Sequence, residues 1–321
     1  MVSPIGLGCW QFSKGGGFIG KYWPKLSADT EREVVSASLA GGVNWFDTAE
    51  AYGLGKSEQA LAAALASVGR KPGEVVVATK WLPLGRFAGS IARTVGRRLE
   101  CLAPYPIDLH QIHFPASFSP IPAQVRALAG LVKSGRIRHV GVSNFSASQM
   151  RLAHRVLAEE GIPLVSNQVL YSLLKRDIEK NGVLETAKEL GITLIAYSPL
   201  AQGVLTGRFH QDPASFAGLS RMRTMSMRSE RSRLERTRPL IEDLRRIASE
   251  HQVTPAEVAL NWTVSFHGDT VVAIPGASKA SQAEHNARAM SFTLRLDELE
   301  RIDELSRQVV GLRGADAGRT R

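Results

Sequence analysis

Four residues that can carry a charge or a proton stand at or just beyond the ends of apolar runs. They are Asp47 and Tyr52 in VNWFDTAEAYGLG (43–55), Lys80 closing EVVVATK (74–80) and His113 closing IDLHQIH (107–113). A phenol has a pKa near 10 and is a poor proton donor at neutral pH. A lysine ammonium about 4 Å away contributes about 4 kcal/mol at an effective dielectric of ~20, roughly three pK units toward the tyrosinate. If the four meet, Tyr52 is a general acid/base, Asp47 keeps Lys80 protonated and oriented, and His113 holds an oxygen from the other side. Such a set protonates an oxygen as charge builds on it. That is the chemistry of carbonyl reduction or its reverse, and the hydride has to come from a cofactor.

The elements that must position these residues are legible in the patterning. Eight strand candidates run along the chain: PIGLGCW (4–10), VNWF (43–46), EVVVATK, IDLHQIH, RHVGVSN (138–144), LVSNQVL (164–170), TLIAYS (193–198) and TVVAIPG (270–276). Several are continuously apolar, as in strands buried on both faces of a parallel sheet. Amphipathic helical segments at 30–40, 57–68, 88–102, 121–133, 147–160 and 178–190 separate them, with Ser146 placed to cap one and Gly135, Gly161 and Gly191 placed to end others. Eight βα units predict a single-domain (β/α)8 TIM barrel over residues 1–310, with an insertion at 201–237 and a disordered tail at 311–321. An open doubly wound sheet calls for a G-x-G-x-x-G turn after the first strand, which is missing. In such a barrel the active site lies at the C-terminal ends of the strands, where Asp47, Lys80, His113, Asn144, Gln168, Tyr197 and Ser198 all fall.

Composition narrows the function. The 321 residues are 44% hydrophobic and 22% charged, enough for a sizeable core. No apolar stretch is long enough for a bilayer, and the N-terminus lacks the blocks of a signal peptide. Two cysteines, Cys9 and Cys101, have no metal-type spacing and suit a reducing compartment, so a cytoplasmic protein without a metal is expected. The net charge of +10 is concentrated in arginines at 221, 223, 228, 231, 233, 236 and 238, but no aromatics interleave them, which argues against nucleic acid. The segment GLGKS (53–57) lacks the upstream glycine of a phosphate loop. His110 and His113, three apart on a strand, point to opposite faces and make no metal pair.

Eight motifs in order make the sequence resemble the aldo-keto reductase superfamily over nearly its whole length: GLGCWQF (6–12), DTAEAYG (47–53), ATKW (78–81), DLHQIHFP (108–115), GRIRHVGVSNF (135–145), SNQVLYS (166–172), AYSPLAQGVLTG (196–207) and IPGASKASQAEHN (274–286). The resemblance implies an NADPH-dependent oxidoreductase, NADPH rather than NADH, acting on a small carbonyl compound through Asp47, Tyr52, Lys80 and His113. It implies that Ser143, Asn144 and Gln168 hold the nicotinamide carboxamide and that Tyr197 stacks under the ring. Ser198, Pro199, Leu200, Gly203, Leu205 and Gly207 then follow the pyrophosphate, and Gly276, Ser278, Gln282 and Asn286 the adenosine. Lys279, Arg208 and Arg221 are candidates for the 2′-phosphate. Cys9 and Trp10 carry over as cofactor contacts, as does Asp47. Trp10, Tyr52, Trp81, His113 and Phe114 are candidates for the substrate pocket, and the GGGF loop (15–18) after the first strand is expected to form an apolar funnel with Phe12, Tyr22, Trp23, Trp81 and Phe114. Cys9 stands where relatives often have threonine, and His285 where many have glutamate. The alternative the resemblance leaves open is an NADPH-binding regulatory subunit like the potassium-channel β-subunits. The oligomeric state is open.

Overall fold

The computed structural model describes residues 1–16, 22–227 and 234–316. Its eight strands are β1 (Leu7–Gly8), β2 (Trp45–Asp47), β3 (Val76–Trp81), β4 (Leu109–Ile112), β5 (His139–Ser143), β6 (Leu164–Leu170), β7 (Thr193–Tyr197) and β8 (Val271–Ile274). All pair in parallel with their sequence neighbours, in the order β1 to β8. The circle closes through parallel bridges Ile5–Ala273 and Gly8–Gly276, with Gly6 N–H donating to Ala273 O at 2.8 Å. The (β/α)8 barrel expected from the sequence is therefore the architecture found.

The described helices of more than six residues are α1 (Ala28–Ala40), α2 (Lys56–Ser67), α3 (Gly89–Leu102), α4 (Ile121–Lys133), α5 (Ala147–Glu159), α6 (Val183–Leu190), α7 (Leu234–Glu250), α8 (Pro255–Ser265), α9 (Ala280–Arg288) and α10 (Leu296–Asp316). Their starts follow capping chemistry. Ser146 with Gln149 and Thr254 with Glu257 form complete capping boxes, each satisfying two backbone donors that the helix leaves unpaired.

Three boundaries differ from expectation. The segment 178–190 is not one helix, because Gly182 takes a left-handed φ of 81° and separates a 3-10 turn (Asp177–Glu179) from α6. The insertion after β7 extends past 237 through α7, which packs on α8 and α10. α10 runs to Asp316, into the segment expected as a tail, and residues 317–321 lie outside the described residues. No described helix is long and apolar enough to cross a membrane.

Alternation along the strands sends one set of side chains into the barrel and the other under the helices. The floor of the interior is filled by Trp45, whose indole N–H donates to Ser3 O at 2.9 Å, above which Ala78, Leu109, Ile195 and Ile274 pack. Gly6 makes this possible: a Cβ there would sit 2.3 Å from the Trp45 ring. Gly6→Ala is expected to destabilise the protein by about 1–3 kcal/mol through overpacking. Urea denaturation checks this, and unchanged stability would contradict the tight fit of Trp45 against β1.

Candidate active site

The upper layer of the barrel interior is polar. Lys80 and Asp47 are fully buried and in direct contact, Nζ to Oδ1. The Lys80 ammonium also donates to Thr48 O at 2.9 Å. The second oxygen of Asp47 accepts from Gln111 Nε2 at 3.1 Å and Gln168 Nε2 at 2.9 Å. The residues come from β2, β3, β4 and β6, and the register that pairs Lys80 with Gln111 puts them at one height. A buried charge survives only when its hydrogen-bonding capacity is met, and here every donor converges on one carboxylate.

Tyr52 lies above this pair, its ring centroid 5.2 Å from Lys80 Nζ. The His113 ring stands edge-on to it with centroids 5.8 Å apart, and Trp10 lies nearly parallel at 6.0 Å. The four residues expected to meet do meet. The expected lowering of the Tyr52 pKa does not follow from the fold, however. Burial, then the Asp47 carboxylate, then Cys9, push the phenol well above its ordinary value. The physical reason is that Lys80 is neutralised by the carboxylate it touches, so the phenol faces an ion pair rather than a free cation. The protein on its own thus keeps Tyr52 protonated. His113 is held well below its ordinary value by burial and by Lys80, so its imidazole is neutral, and its Nδ1 has no hydrogen-bond partner among the described residues.

These groups open into a cavity of about 1320 Å³. Along one side it is lined by Ser143, Asn144, Gln168 and Tyr197, and the Tyr197 hydroxyl donates to Asn144 Oδ1 at 3.0 Å. Asn144 has a left-handed φ of 61°, which lets its Nδ2 reach His113 O at 3.2 Å and Ser143 Oγ at 3.0 Å. Ser198 is also left-handed, at 51°. Non-glycine residues in this region are strained by of order 1–3 kcal/mol, and such strain gathers at functional sites. The cavity continues past Pro199, Leu200, Gly203 and Arg208, then past Gly276, Ser278, Gln282 and Asn286. Gly8 of β1 and Cys9 and Trp10 of the turn after it border the cavity, and Phe114 stacks on His113 at 4.5 Å.

Several expected positions lie elsewhere. Phe12 is fully buried in the hydrophobic core and does not line the cavity, and residues 17 and 18 of the GGGF loop lie outside the described residues. Trp81 points away from the barrel interior, is buried, and its indole donates to Ser90 Oγ at 3.0 Å, so it supports the wall from behind rather than lining the pocket. Leu205 is buried in the outer core, and Gly207 offers its carbonyl to Arg245 at 2.9 Å without lining the cavity. Lys279 is exposed just before α9 and also does not line it. The side chain of Arg221 and the arginines at 228, 231 and 233 lie outside the described residues. Of the histidines, His110 faces out of the barrel near Arg98, and burial lowers its pKa to about 4.

Other residues were not foreseen. Gln111 shares the inward face of β4 with His113, two positions on, so strand alternation could have singled it out. Arg223 and Arg245 line the cavity from the β7–α8 connection, whose arginine-rich part is expected to charge the cofactor cleft but without either residue singled out. Tyr22 reaches Gln202 by a hydroxyl-to-amide hydrogen bond, and the Arg223 guanidinium lies 4.4 Å over Trp23, so the loop after β1 is tied to the insertion after β7.

Behind β3, Glu58 accepts from Thr79 Oγ1 at 2.6 Å and lies 3.3 Å from Arg98. Complete burial outweighs the attraction of Arg98 and raises the Glu58 pKa from 4.5 to about 7. The folded protein therefore binds a proton more tightly than the unfolded chain here. That stability is fully present below pH 4.5 and is lost as the pH rises through about 7. Glu58→Gln is expected to flatten the fall in urea midpoint between about pH 5 and about pH 8. An identical fall in wild type and variant would contradict this.

Known proteins resemble this chain over nearly its whole length. The model of the Aldo/keto reductase family matches residues 4–307. An uncharacterized oxidoreductase of Mycobacterium bovis is 39% identical over 309 residues, covering 95% of this chain and 90% of its own. Among solved structures, the glycerol dehydrogenase of Gluconobacter oxydans superposes with a TM-score of 0.80 at 28% identity, over 96% of this chain and 93% of that one. An aldo-keto reductase of Klebsiella pneumoniae, solved in complex with NADPH, gives a TM-score of 0.72 at 26% identity over 95% and 91%. With the match spanning the barrel and the polar rim alike, the chain belongs to the aldo/keto reductase family and is an NAD(P)H-dependent oxidoreductase.

Proposed function

We propose that the chain reduces the carbonyl group of a small aldehyde or ketone at the expense of NADPH, or runs the reverse oxidation, with Tyr52 as the proton donor. The observation that carries this reading is Tyr52 at the cavity wall, its ring 5.2 Å from Lys80 Nζ and 5.8 Å from the His113 ring, beside the buried Lys80–Asp47 pair. In reduction the Tyr52 hydroxyl gives its proton to the carbonyl oxygen as negative charge builds there. His113, neutral and facing Tyr52, orients that oxygen. Lys80 supports the tyrosinate left behind, and Asp47 with Gln111 and Gln168 keeps the ammonium in place.

The donor set fits a phosphate-rich dinucleotide. Arg208, Arg223 and Arg245 line the cavity, and its one described lining carboxylate, Asp47, is already committed to Lys80. Gly203, with a φ of 98°, leaves backbone open where a Cβ would approach Phe209 and Arg223. Tyr197 offers a ring face, and Ser143, Asn144 and Gln168 offer polar contacts for a carboxamide. Ser198, Pro199, Leu200, Gly203 and Arg208 serve the pyrophosphate side, and Gly276, Ser278, Gln282 and Asn286 the adenosine side. When bound, NADPH supplies the hydride.

The experiment is a steady-state screen of NADPH and NADH oxidation over a panel of aldehydes and ketones, beside the Kd of each cofactor. Turnover with NADPH favoured over NADH is expected. Tight NADPH binding without turnover of any carbonyl would overturn the catalytic reading in favour of a regulatory cofactor-binding subunit.

A further inference from the structure

The cations lining the cavity do not form one group. Arg208, Arg223 and Arg245 all come from the connection between β7 and α8. The fourth, Lys175, comes from the loop after β6. No carboxylate of the described residues lies within ion-pair distance of its ammonium. The lining carboxylate of the described residues, Asp47, is fully bonded to Lys80, Gln111 and Gln168.

Lys175 is also firmly placed. Ser172 and Lys175 exchange backbone hydrogen bonds at 3.1 and 2.9 Å, closing a tight turn. Its neighbour Arg176 is buried, donates to both oxygens of Glu179 at 2.9 and 2.7 Å and to Ser306 Oγ at 3.2 Å, and lies 4.9 Å over the Trp262 ring. A half-buried ammonium on a braced turn, with no carboxylate partner among the described residues, favours an anion within its reach.

The rest of the pocket describes the shape of what carries that anion. Trp10 and Tyr22 stack at 4.8 Å and 17°, and Trp10 continues the stack to Tyr52. Across Tyr52, His113 and Phe114 form a second parallel pair at 2°. The two pairs are steeply inclined to each other, since Trp10 lies 24° and His113 82° from the Tyr52 plane, and they line the pocket around Tyr52 with ring surface that favours an apolar or aromatic body.

We propose that the substrate is a carbonyl compound with an apolar or aromatic body and an anionic group, its carbonyl at Tyr52 and His113 and its anion on Lys175. This rests on the catalytic reading given above and adds no chemical step to it. The test compares kcat/KM for para-carboxybenzaldehyde and benzaldehyde, with NADPH and the full-length enzyme. Wild type is expected to favour the carboxylate by on the order of 10- to 100-fold, the range of a charge-assisted hydrogen bond. Lys175→Ala removes that preference, mainly through KM. Lys175→Arg retains part of it, and the NADPH Kd of each variant, read by fluorescence, moves less than about threefold.

No preference in wild type, or a preference that survives Lys175→Ala, overturns the assignment. So does a Lys175→Ala variant whose NADPH Kd weakens as much as its selectivity, because Lys175 then serves a cofactor phosphate. Turnover of other carbonyl compounds but of neither benzaldehyde overturns this inference alone, whereas turnover of no carbonyl at all, with NADPH still bound, overturns the catalytic reading and this inference with it.

Discussion

Tyr52→Phe is expected to lower carbonyl reduction by about 10²- to 10⁴-fold while leaving the NADPH Kd within a few-fold of wild type. The variant removes one oxygen and keeps the ring that stacks toward Trp10 and faces His113. What is lost is the proton that neutralises the developing alkoxide, and no neighbour replaces it. His113 is held neutral and Lys80 is bonded to Asp47 and Thr48 O. Rapid-mix kinetics beside a fluorescence titration separate chemistry from binding. A variant retaining more than a few per cent of wild-type kcat would remove Tyr52 from the role of acid.

Breaking the buried ion pair should be costly in stability as well as rate. Lys80→Met leaves the Asp47 carboxylate buried with only Gln111 and Gln168 as described side-chain donors, and an uncompensated buried charge costs about 3–5 kcal/mol. Adding Asp47→Asn removes the orphaned charge. The double variant is therefore expected to be more stable than Lys80→Met alone, while remaining inactive. Urea midpoints for the two single variants and the double give the coupling directly. Additive losses would show that the two side chains are not stabilised by each other.

Much of this was legible in the chain because strand ends announce themselves. Apolar runs ending in Asp47, Lys80, His113, Asn144 and Tyr197 fix a barrel and fix which rim is polar, since parallel strands all present the same end. Periodicity also located α1 to α6 closely, except where Gly182 breaks one of them. What remained hidden depended on three-dimensional neighbours. Trp81 follows Lys80 directly and so points to the other face, a parity that the motif ATKW obscures. The state of Tyr52 could not be read from residue types, because a lysine lowers a phenol's pKa only while its charge is uncompensated, and Asp47 compensates it. Arg245 and Lys175 reach the cavity from a helix and a turn with no motif of their own. The insertion after β7 is legible as a flank that charges the cofactor cleft, but which of its arginines line the cavity emerges only from the fold.

The central claim is that a hydride passes from NADPH to a carbonyl carbon while Tyr52 supplies the proton. Single-turnover reduction of an aldehyde with NADPH deuterated at the nicotinamide C4 tests it most directly, with mass spectrometry of the alcohol. The account predicts that deuterium delivered from one face of the nicotinamide appears on the carbinol carbon, one per turnover, and that Tyr52→Phe forms almost none of this product with cofactor bound. Alcohol free of cofactor deuterium whichever face carries the label, or labelled alcohol formed equally well by Tyr52→Phe, would contradict it.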